Sequence, residues 1–291
     1  MSKPTLLLII NPKAGHGKAP KVVDVIARSG IRNIYDVETA FTQYRGHANE
    51  LAKTAVQSGV NVVVAAGGDG TVNETASSLV DTETSLAVIG AGSGNGLARH
   101  LHYSLNPLMA LKKIKDGKTD VIDSLLINNR FAVNVSGFGF DGYVAWLFDQ
   151  HGKRGLMSYT TIALKEYFHY EKIKFNITLD DNQFDVNAHM VVVANASQFG
   201  NAAVIAPMAD LRDGLADVII VNRPPVHLMP VTFYRLFNGS LSSNKYTRML
   251  TGKKLSITTS RPVHLHIDGE PNEPVSKVEV IVKPRSLKII I

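Results

Sequence analysis

The 291-residue chain has no cysteine. That absence removes a disulfide framework, a thiolate metal centre and a cysteine nucleophile together, and it fits a reducing compartment. Long apolar runs are missing too. The N-terminus "MSKPTLLLII" holds five consecutive apolar residues with no small-residue cleavage pattern, so no signal peptide is expected. No stretch approaches the roughly 18 apolar residues needed to span a bilayer. Aromatic residues make up 7% of the chain and do not interleave with basic ones as a nucleic-acid surface requires. What the chain does carry is a basic balance, 31 Lys and Arg against 25 Asp and Glu, for a net charge of +6. Such a field keeps a protein soluble, or draws in anions such as nucleotides and membrane surfaces.

The length allows two domains or one large α/β domain. Residues 1–120 alternate strand and helix: an apolar run Thr5–Ile10, a helix Lys18–Arg28, a strand Ile34–Val37, a helix Gly46–Ser58 and a strand Asn61–Ala65. A helix Val72–Leu79, a strand Leu86–Ile89 and two short helices near Leu97 and Leu108–Lys115 follow. Continuous apolar strands between helices predict a Rossmann-like, parallel α/β domain. The polar segment "KKIKDGKTD", Lys112–Asp120, marks the expected boundary. Residues 121–291 read mostly as strands, at Val121–Ile127, Phe131–Val135, Ile173–Leu179, Ala188–Ala194, Asp217–Val221, Lys254–Thr259, Val263–Ile267 and Val275–Val282, which predicts a β-rich second domain, a sandwich or partly closed barrel.

Three glycine-rich loops sit at expected strand ends: "NPKAGHGK" from Asn11, "GGDGT" from Gly67 and "GAGSGNGLAR" from Gly90. Ligands of open α/β sheets bind beyond the carboxyl ends of the strands, so three such loops favour one shared site. None is a familiar nucleotide fingerprint. Gly17-Lys18 is followed by Ala19, with Pro12 where a P-loop needs its leading glycine, and Leu97 stands at the last glycine position of a dinucleotide pattern starting at Gly92. In the second loop Gly67 and Gly68 leave backbone N–H groups open to a phosphate. Thr71 and Glu74 have capping-box spacing, which places a helix start and its positive dipole end at Thr71. Asp69 beside a phosphate calls for Mg²⁺ or for the proton of an attacking hydroxyl; alone, it would simply complete a turn.

"GGDGTVNE" following "NPKAG" resembles the catalytic domain of the diacylglycerol kinase and sphingosine kinase superfamily. "GSGNGLAR", "APMADLRDGLADVIIV" (Ala206–Val221) and "HIDGE" (His266–Glu270) are similar to its later motifs, so the resemblance spans Asn11 to Glu270. It implies an ATP-dependent lipid kinase of the compact bacterial type, with a Rossmann-like N-terminal domain, a C-terminal β-sandwich, the nucleotide in the cleft between them, and a last strand, "SLKIII", able to return to the first domain. The nucleotide contacts it implies are Asn11, Pro12, Lys13, Ala14, Gly15, Thr42, Gly67, Gly68, Asp69, Gly70, Thr71, Val72, Asn73 and Ser93. It implies Mg²⁺ held by Asp213 with backbone oxygens near Asp210 and Leu215, and a proton acceptor within Asp268 and Glu270, with Asp69 as third catalytic carboxylate. Ser93 and Gly96 depart from the third loop usual in diacylglycerol kinases, which leaves diacylglycerol-like and sphingoid-type acceptors both open.

Other readings stand beside these. "DGE" is also a strong hairpin-turn signal between two strands. Asp210 and Asp213 also suit a solvated loop, and His264 with His266 share a strand face that suits packing or a metal. Tyr143–Lys174 combines Trp146, Leu147, Phe148 and the spacing Leu156, Tyr159, Ala163, Tyr167 with Lys153, Arg154, Lys165, Lys172 and Lys174; a membrane-contacting surface would look like this, and so would a packed amphipathic helix. The expected partners are a lipid at the membrane surface and no nucleic acid, with a homodimer left open. The expected location is the cytoplasm, peripheral to the membrane. An NAD kinase-like enzyme and a catalytically silent nucleotide- or lipid-binding protein are the competing functions.

Overall fold

The computed structural model describes residues 2–17, 19, 21–151, 155–243 and 245–291. It divides into two compact units, residues 1–123 with 285–291, and residues 124–284. Lys18, Lys153 and Arg154, named above, lie outside the described residues.

In the first unit the chain runs β1 (Thr5–Ile10), α1 (Lys21–Ser29), β2 (Asp36–Phe41), α2 (His47–Gln57), β3 (Val62–Gly67), α3 (Asp69–Ser77), β4 (Ser85–Gly90), α4 (Gly96–His100) and α5 (Pro107–Asp116), and then enters β5 (Thr119–Ile127). The sheet order is β4-β3-β1-β2 and every pairing is parallel. Burial explains the composition of its central strands: β3 and β4 are buried at every position, so they read as unbroken apolar runs rather than alternating ones. The last residues return to this unit, where Ile289 pairs in parallel with Leu86 and the Tyr103 hydroxyl donates to the Ile290 carbonyl at 2.6 Å.

The second unit comprises β6 (Arg130–Ala132), β7 (Val135–Gly139), α6 (Phe140–Gln150), α7 (Leu156–Tyr167), β8 (Ile173–Leu179), β9 (Asn182–Ala188), β10 (Met190–Ala194), β11 (Ala216–Val221), α8 (Met229–Phe237), β12 (Thr247–Gly252), β13 (Lys254–Ile267) and most of β14 (Glu270–Ile290). Antiparallel pairing runs β12-β11-β10-β7-β13, and β13 also pairs with β14 and with β8 of the β8–β9 hairpin. Alternating inward residues of these strands, among them Phe138, Phe175, Ile177, Val218 and Val263, fill one core. The fold is therefore an α/β, Rossmann-like N-terminal domain followed by a β-sandwich.

Several elements differ from expectation, each for a local reason. Phe131–Val135 is not one strand, because the segment breaks between β6 and β7. The two strands expected at Lys254–Thr259 and Val263–Ile267 are one, β13, whose pairing with β14 shifts register between Thr258 and Val263, around Pro262. The expected strand Ile34–Val37 starts later, at Asp36, after a short 3₁₀ turn over Ile31–Asn33.

Candidate active site

The three glycine-rich loops of the first unit meet at the ends of β1, β3 and β4. Asn11 Nδ2 donates to Thr71 Oγ1 at 3.1 Å, and the Asn11 N–H donates to the Ala66 carbonyl at 2.9 Å, which ties the first loop to the second. The second loop presses on the third. A Cβ on Gly92 would lie 2.5 Å from the Cα of Gly68, and one on Gly67 would lie 2.5 Å from both Cβ and Oγ1 of Thr71. Glycine is demanded at both positions, by the Gly68 backbone at 92 and by the Thr71 side chain at 67.

Asp69 decides the geometry of the third loop. Its Oδ2 accepts the N–H of Asn95 at 2.9 Å and its Oδ1 accepts that of Gly96 at 2.7 Å, so the carboxylate sits on the N-terminus of α4. Burial pushes its carboxyl above the ordinary range, while those two N–H groups and Arg99 pull against that. Asn95 completes the clamp: its Oδ1 accepts from Gly92 N–H at 2.8 Å and its Nδ2 donates to the Gly92 carbonyl at 2.7 Å. Asn95 holds φ 55°, a left-handed position that asparagine tolerates better than most residues. The turn between Gly92 and Asn95 leaves Ser93 exposed.

The capping box is a correction. Helix α3 begins at Asp69, not Thr71, with Gly68 at its N-cap and no side-chain cap bond. Glu74 turns away from its own helix. Its carboxylate accepts the N–H groups of Gly46 at 2.9 Å and Ala48 at 3.2 Å, capping α2. Spacing fixed the residue types but not the partner, because an orphan helix N-terminus lay nearer than the residue's own. Near that cap, the Thr42 N–H donates to the Ile10 carbonyl at 2.9 Å.

A second cluster lies in the second unit. Ile267 pairs with Glu270, so Asp268 and Gly269 are the two central residues of a tight hairpin, at φ 49° and 85°. The hairpin reading of "DGE" is right, and it places a carboxylate there. Asp268 is 4% exposed, and its oxygens accept from Val133 N–H at 2.8 Å and Asn134 N–H at 3.0 Å. Behind the turn, the Gly269 N–H donates to Nδ1 of His266 at 3.1 Å, and Nε2 of His266 lies 2.7 Å from Oδ2 of Asp141. With Nδ1 accepting, the ring proton sits on Nε2 and is donated to Asp141. The Tyr159 hydroxyl donates to the other Asp141 oxygen at 2.8 Å. Desolvation, then the Asp141 charge, holds the Tyr159 phenol well above its usual value. His264, two residues away, packs against Tyr143 and Trp146 instead, so the two histidines have separate surroundings.

The third group is the loop before β11. Asp210 Oδ1 accepts from the backbone N–H of Arg212 at 3.1 Å and from its Nε at 3.2 Å, and Asp213 Oδ1 accepts from Leu215 N–H at 2.9 Å. Asp217 follows, 8% exposed, its carboxyl pushed up to about 6 by burial and then by the charge of Asp213. Among the described residues no group of three or more His, Asp and Glu side chains could hold a metal. A cation here would therefore need main-chain oxygens such as those of Asp210 and Leu215.

Asn95, Asp141 and Asp217 were missed by sequence reasoning. Asn95 carried a signal, the Ser-Gly-Asn-Gly run typical of a left-handed position. Asp141 carried one too, since "GFGFDG" ends a strand on glycines as the first three loops do.

Fold and loops define a two-domain protein of kinase type. Residues 5–127 match the diacylglycerol kinase catalytic domain, and residues 134–291 match the YegS C-terminal NAD kinase beta sandwich-like domain. The chain belongs to the diacylglycerol kinase superfamily, in the compact lipid-kinase form that carries this second domain. A diacylglycerol kinase of Mycobacterium tuberculosis is 27% identical over 97% of this chain and 93% of its own length. A Pseudomonas aeruginosa protein named "Probable lipid kinase YegS-like" is 26% identical over 99% of this chain and 95% of its own. The crystal structure of a diacylglycerol kinase from Bacillus anthracis has the same fold, with a TM-score of 0.76 at 20% identity, covering 100% of this chain and 97% of that one. No helix among the described residues is long and apolar enough to cross a membrane.

Proposed function

We propose that the protein is an ATP-dependent lipid kinase that transfers the γ-phosphate to the hydroxyl of a diacylglycerol-like or sphingoid-type lipid. The observation that carries this reading is the locking of the second loop to the third by Asp69. Two loops whose glycines touch backbone to backbone, held by a buried carboxylate, form a stiff cradle of main-chain N–H groups, and phosphoryl transfer depends chiefly on such positioning. On this reading the nucleotide is contacted by Asn11, Pro12, Lys13, Ala14, Gly15, Thr42, Gly67, Gly68, Gly70, Thr71, Val72, Asn73 and the exposed Ser93. Asp69 acts here as the residue that fixes the cradle as well as a charge beside the phosphates.

Asp268 and Glu270 act as the unit that takes the hydroxyl proton. The N–H groups of Val133 and Asn134 hold the Asp268 carboxylate in one orientation. Mg²⁺ would be held by Asp213 with main-chain oxygens of Asp210 and Leu215, and would supply charge neutralisation there.

The test is label transfer from ATP to a panel of diacylglycerol, monoacylglycerol, sphingoid base, ceramide and phosphatidylglycerol, with Asp69→Ala and Asp268→Ala as controls. One or more lipids are labelled by the wild type, and both variants fall at least about 100-fold. Labelling of NAD and of no lipid would instead establish the NAD kinase-like reading. ATP binding without turnover on any acceptor would establish a silent binding protein.

A further inference from the structure

Between β6 and β7 lie two residues, Val133 and Asn134, that belong to neither strand. They are buried all the same, at 1% and 5% exposure. Buried main-chain groups outside a strand ladder need other partners, so each of the four has to be accounted for. Both N–H groups go to Asp268, one to each carboxylate oxygen, at 2.8 Å and 3.0 Å. Both carbonyls go to Asn195. Its Nδ2 donates to the Val133 carbonyl at 3.1 Å, and its main-chain N–H donates to the Asn134 carbonyl at 2.8 Å, which the Ala196 N–H shares at 3.3 Å. The bond to Asn134 continues the antiparallel pairing of β10 with β7, in which Ala194 faces Val135. The bond to Val133 needs a side chain that donates, because a carbonyl can only accept. Asn195 is itself 1% exposed, so solvent does not compete for that bond.

We infer that Asn195 is a positioning residue for Asp268, fixing through the Val133–Asn134 segment the direction in which the carboxylate meets the acceptor hydroxyl. A carboxylate held by one N–H can swing about that bond. One whose two oxygens sit on successive N–H groups of a single segment is fixed in its plane, provided the segment itself stays still. The segment is anchored on its carbonyl side by Asn195, so the aim of the carboxylate depends on a side chain that does not touch it. Ser136 adds a lesser third point, its Oγ accepting the Asp268 main-chain N–H at 3.3 Å. His266 holds a different part of the same turn, the Gly269 N–H. Proton transfer in a phosphoryl-transfer site tolerates little error in such geometry, which gives the anchoring a purpose beyond satisfying buried carbonyls. The inference rests on the lipid-kinase reading for the role of Asp268 as proton acceptor. A purely stabilising Asn195 would lower the folded fraction whether or not Asp268 is present; a positioning Asn195 acts only where there is a carboxylate to aim.

The experiment is a double-variant cycle on the full chain, using the acceptor that the wild type labels from ATP. Asn195→Ala lowers kcat about 10- to 100-fold and leaves KM for the acceptor and for ATP within about twofold. In an Asp268→Ala background the same substitution lowers the residual rate no further, because a residue that acts through the carboxylate has nothing left to act on. Ser136→Ala, which removes a single oxygen, gives a smaller loss in kcat that likewise vanishes in the Asp268→Ala background; it carries the cycle if Asn195→Ala does not fold. The inference is overturned if Asn195→Ala keeps the wild-type kcat, if its loss lies in KM, or if its loss and that of Asp268→Ala multiply in the double variant. With an unfolded Asn195→Ala, multiplying losses for Ser136→Ala and Asp268→Ala overturn it equally. The two failures are distinguishable. A wild type that labels no acceptor defeats the lipid-kinase reading and takes this role with it, whereas a wild type that labels lipid while the losses multiply defeats the role of Asn195 alone.

Discussion

Nε2 of His266 stands 2.7 Å from Oδ2 of Asp141, and both side chains are buried, at 2% and 7% exposure. On its other side the same ring accepts the N–H of Gly269, inside the turn that carries Asp268. The imidazole thus links a helix-borne carboxylate to the hairpin of the proposed base. Space around the pair is fully used, since a Cβ on Gly137 would lie 2.2 Å from Asp141 Oδ2 and 2.8 Å from His266 Nε2.

Replacing His266 by Leu therefore leaves a buried carboxylate with Tyr159 as its remaining side-chain donor. The expected loss is about 2–4 kcal/mol of unfolding free energy, read from denaturant curves. His266→Asn, whose Oδ1 can take the place of Nδ1 as acceptor for Gly269, recovers slow amide exchange in residues 266–272 and part of the turnover without recovering the Asp141 contact. Equal exchange in the Leu and Asn variants would show that the ring does not hold the turn. Gly137→Ala is expected to cost as much as His266→Leu, since a methyl there displaces the pair itself.

Glu74 gives a second, smaller test. As the cap of α2 it should contribute about 1 kcal/mol, and Glu74→Ala should speed exchange at Gly46–Ala48 rather than at the start of α3. Faster exchange at Gly70–Val72 alone would restore the capping-box reading.

Asp69→Asn probes the cradle. Asparagine keeps one acceptor oxygen but turns an NH₂ group toward a backbone N–H, so one of the bonds to Asn95 and Gly96 becomes a repulsion. Nucleotide affinity should fall by about tenfold or more with the overall fold retained, a change measurable by titration calorimetry. Unchanged affinity would separate Asp69 from the nucleotide site.

What was legible in the sequence followed from burial and from chain order. β3 and β4 announced themselves because burial on both faces leaves no room for a polar residue, and the loops after β1, β3 and β4 were visible as glycines at strand ends. The Asp268 turn was legible both as a hairpin and as a motif, and it is a hairpin. Partners across space were not legible. Nothing within the helix tells Glu74 to cap α2 rather than α3, and nothing near residue 141 announces a histidine 125 positions later. β12 and α8 escaped notice for the opposite reason. They lie at the surface, where half-exposed residues show neither an unbroken apolar run nor a regular polar face.

Acid sensitivity should separate two buried groups that pull in opposite directions. His189 is enclosed by Phe140, Tyr167 and Tyr170, its ring nitrogens have no hydrogen-bond partner among the described residues, and burial, then Arg223 and Lys172, bring its pKa down to about 4. Its folded value lies below its ordinary value near 6.5, so the unfolded chain binds the proton first and stability is lost as pH falls from about 6.5 towards 4. Asp217 has the reverse sign. Its folded value of about 6 lies above the ordinary carboxylate value, so its contribution is present at low pH and is lost as pH rises from about 4 to about 6. Each contributes on the order of 2 kcal/mol across its window once partial solvent screening is allowed for. His189→Phe should therefore lose less stability than the wild type between pH 7 and pH 5, and Asp217→Asn should be the more stable protein above pH 6 and its equal at pH 4. Added Mg²⁺ at pH 7 should narrow the gap between Asp217→Asn and the wild type without closing it, because a cation beside Asp213 relieves the repulsion between the two carboxylates but not the larger cost of burying Asp217. Thermal melts over this pH range, with and without Mg²⁺, test both signs; a gap that Mg²⁺ leaves untouched would take the metal away from the Asp210–Asp217 loop.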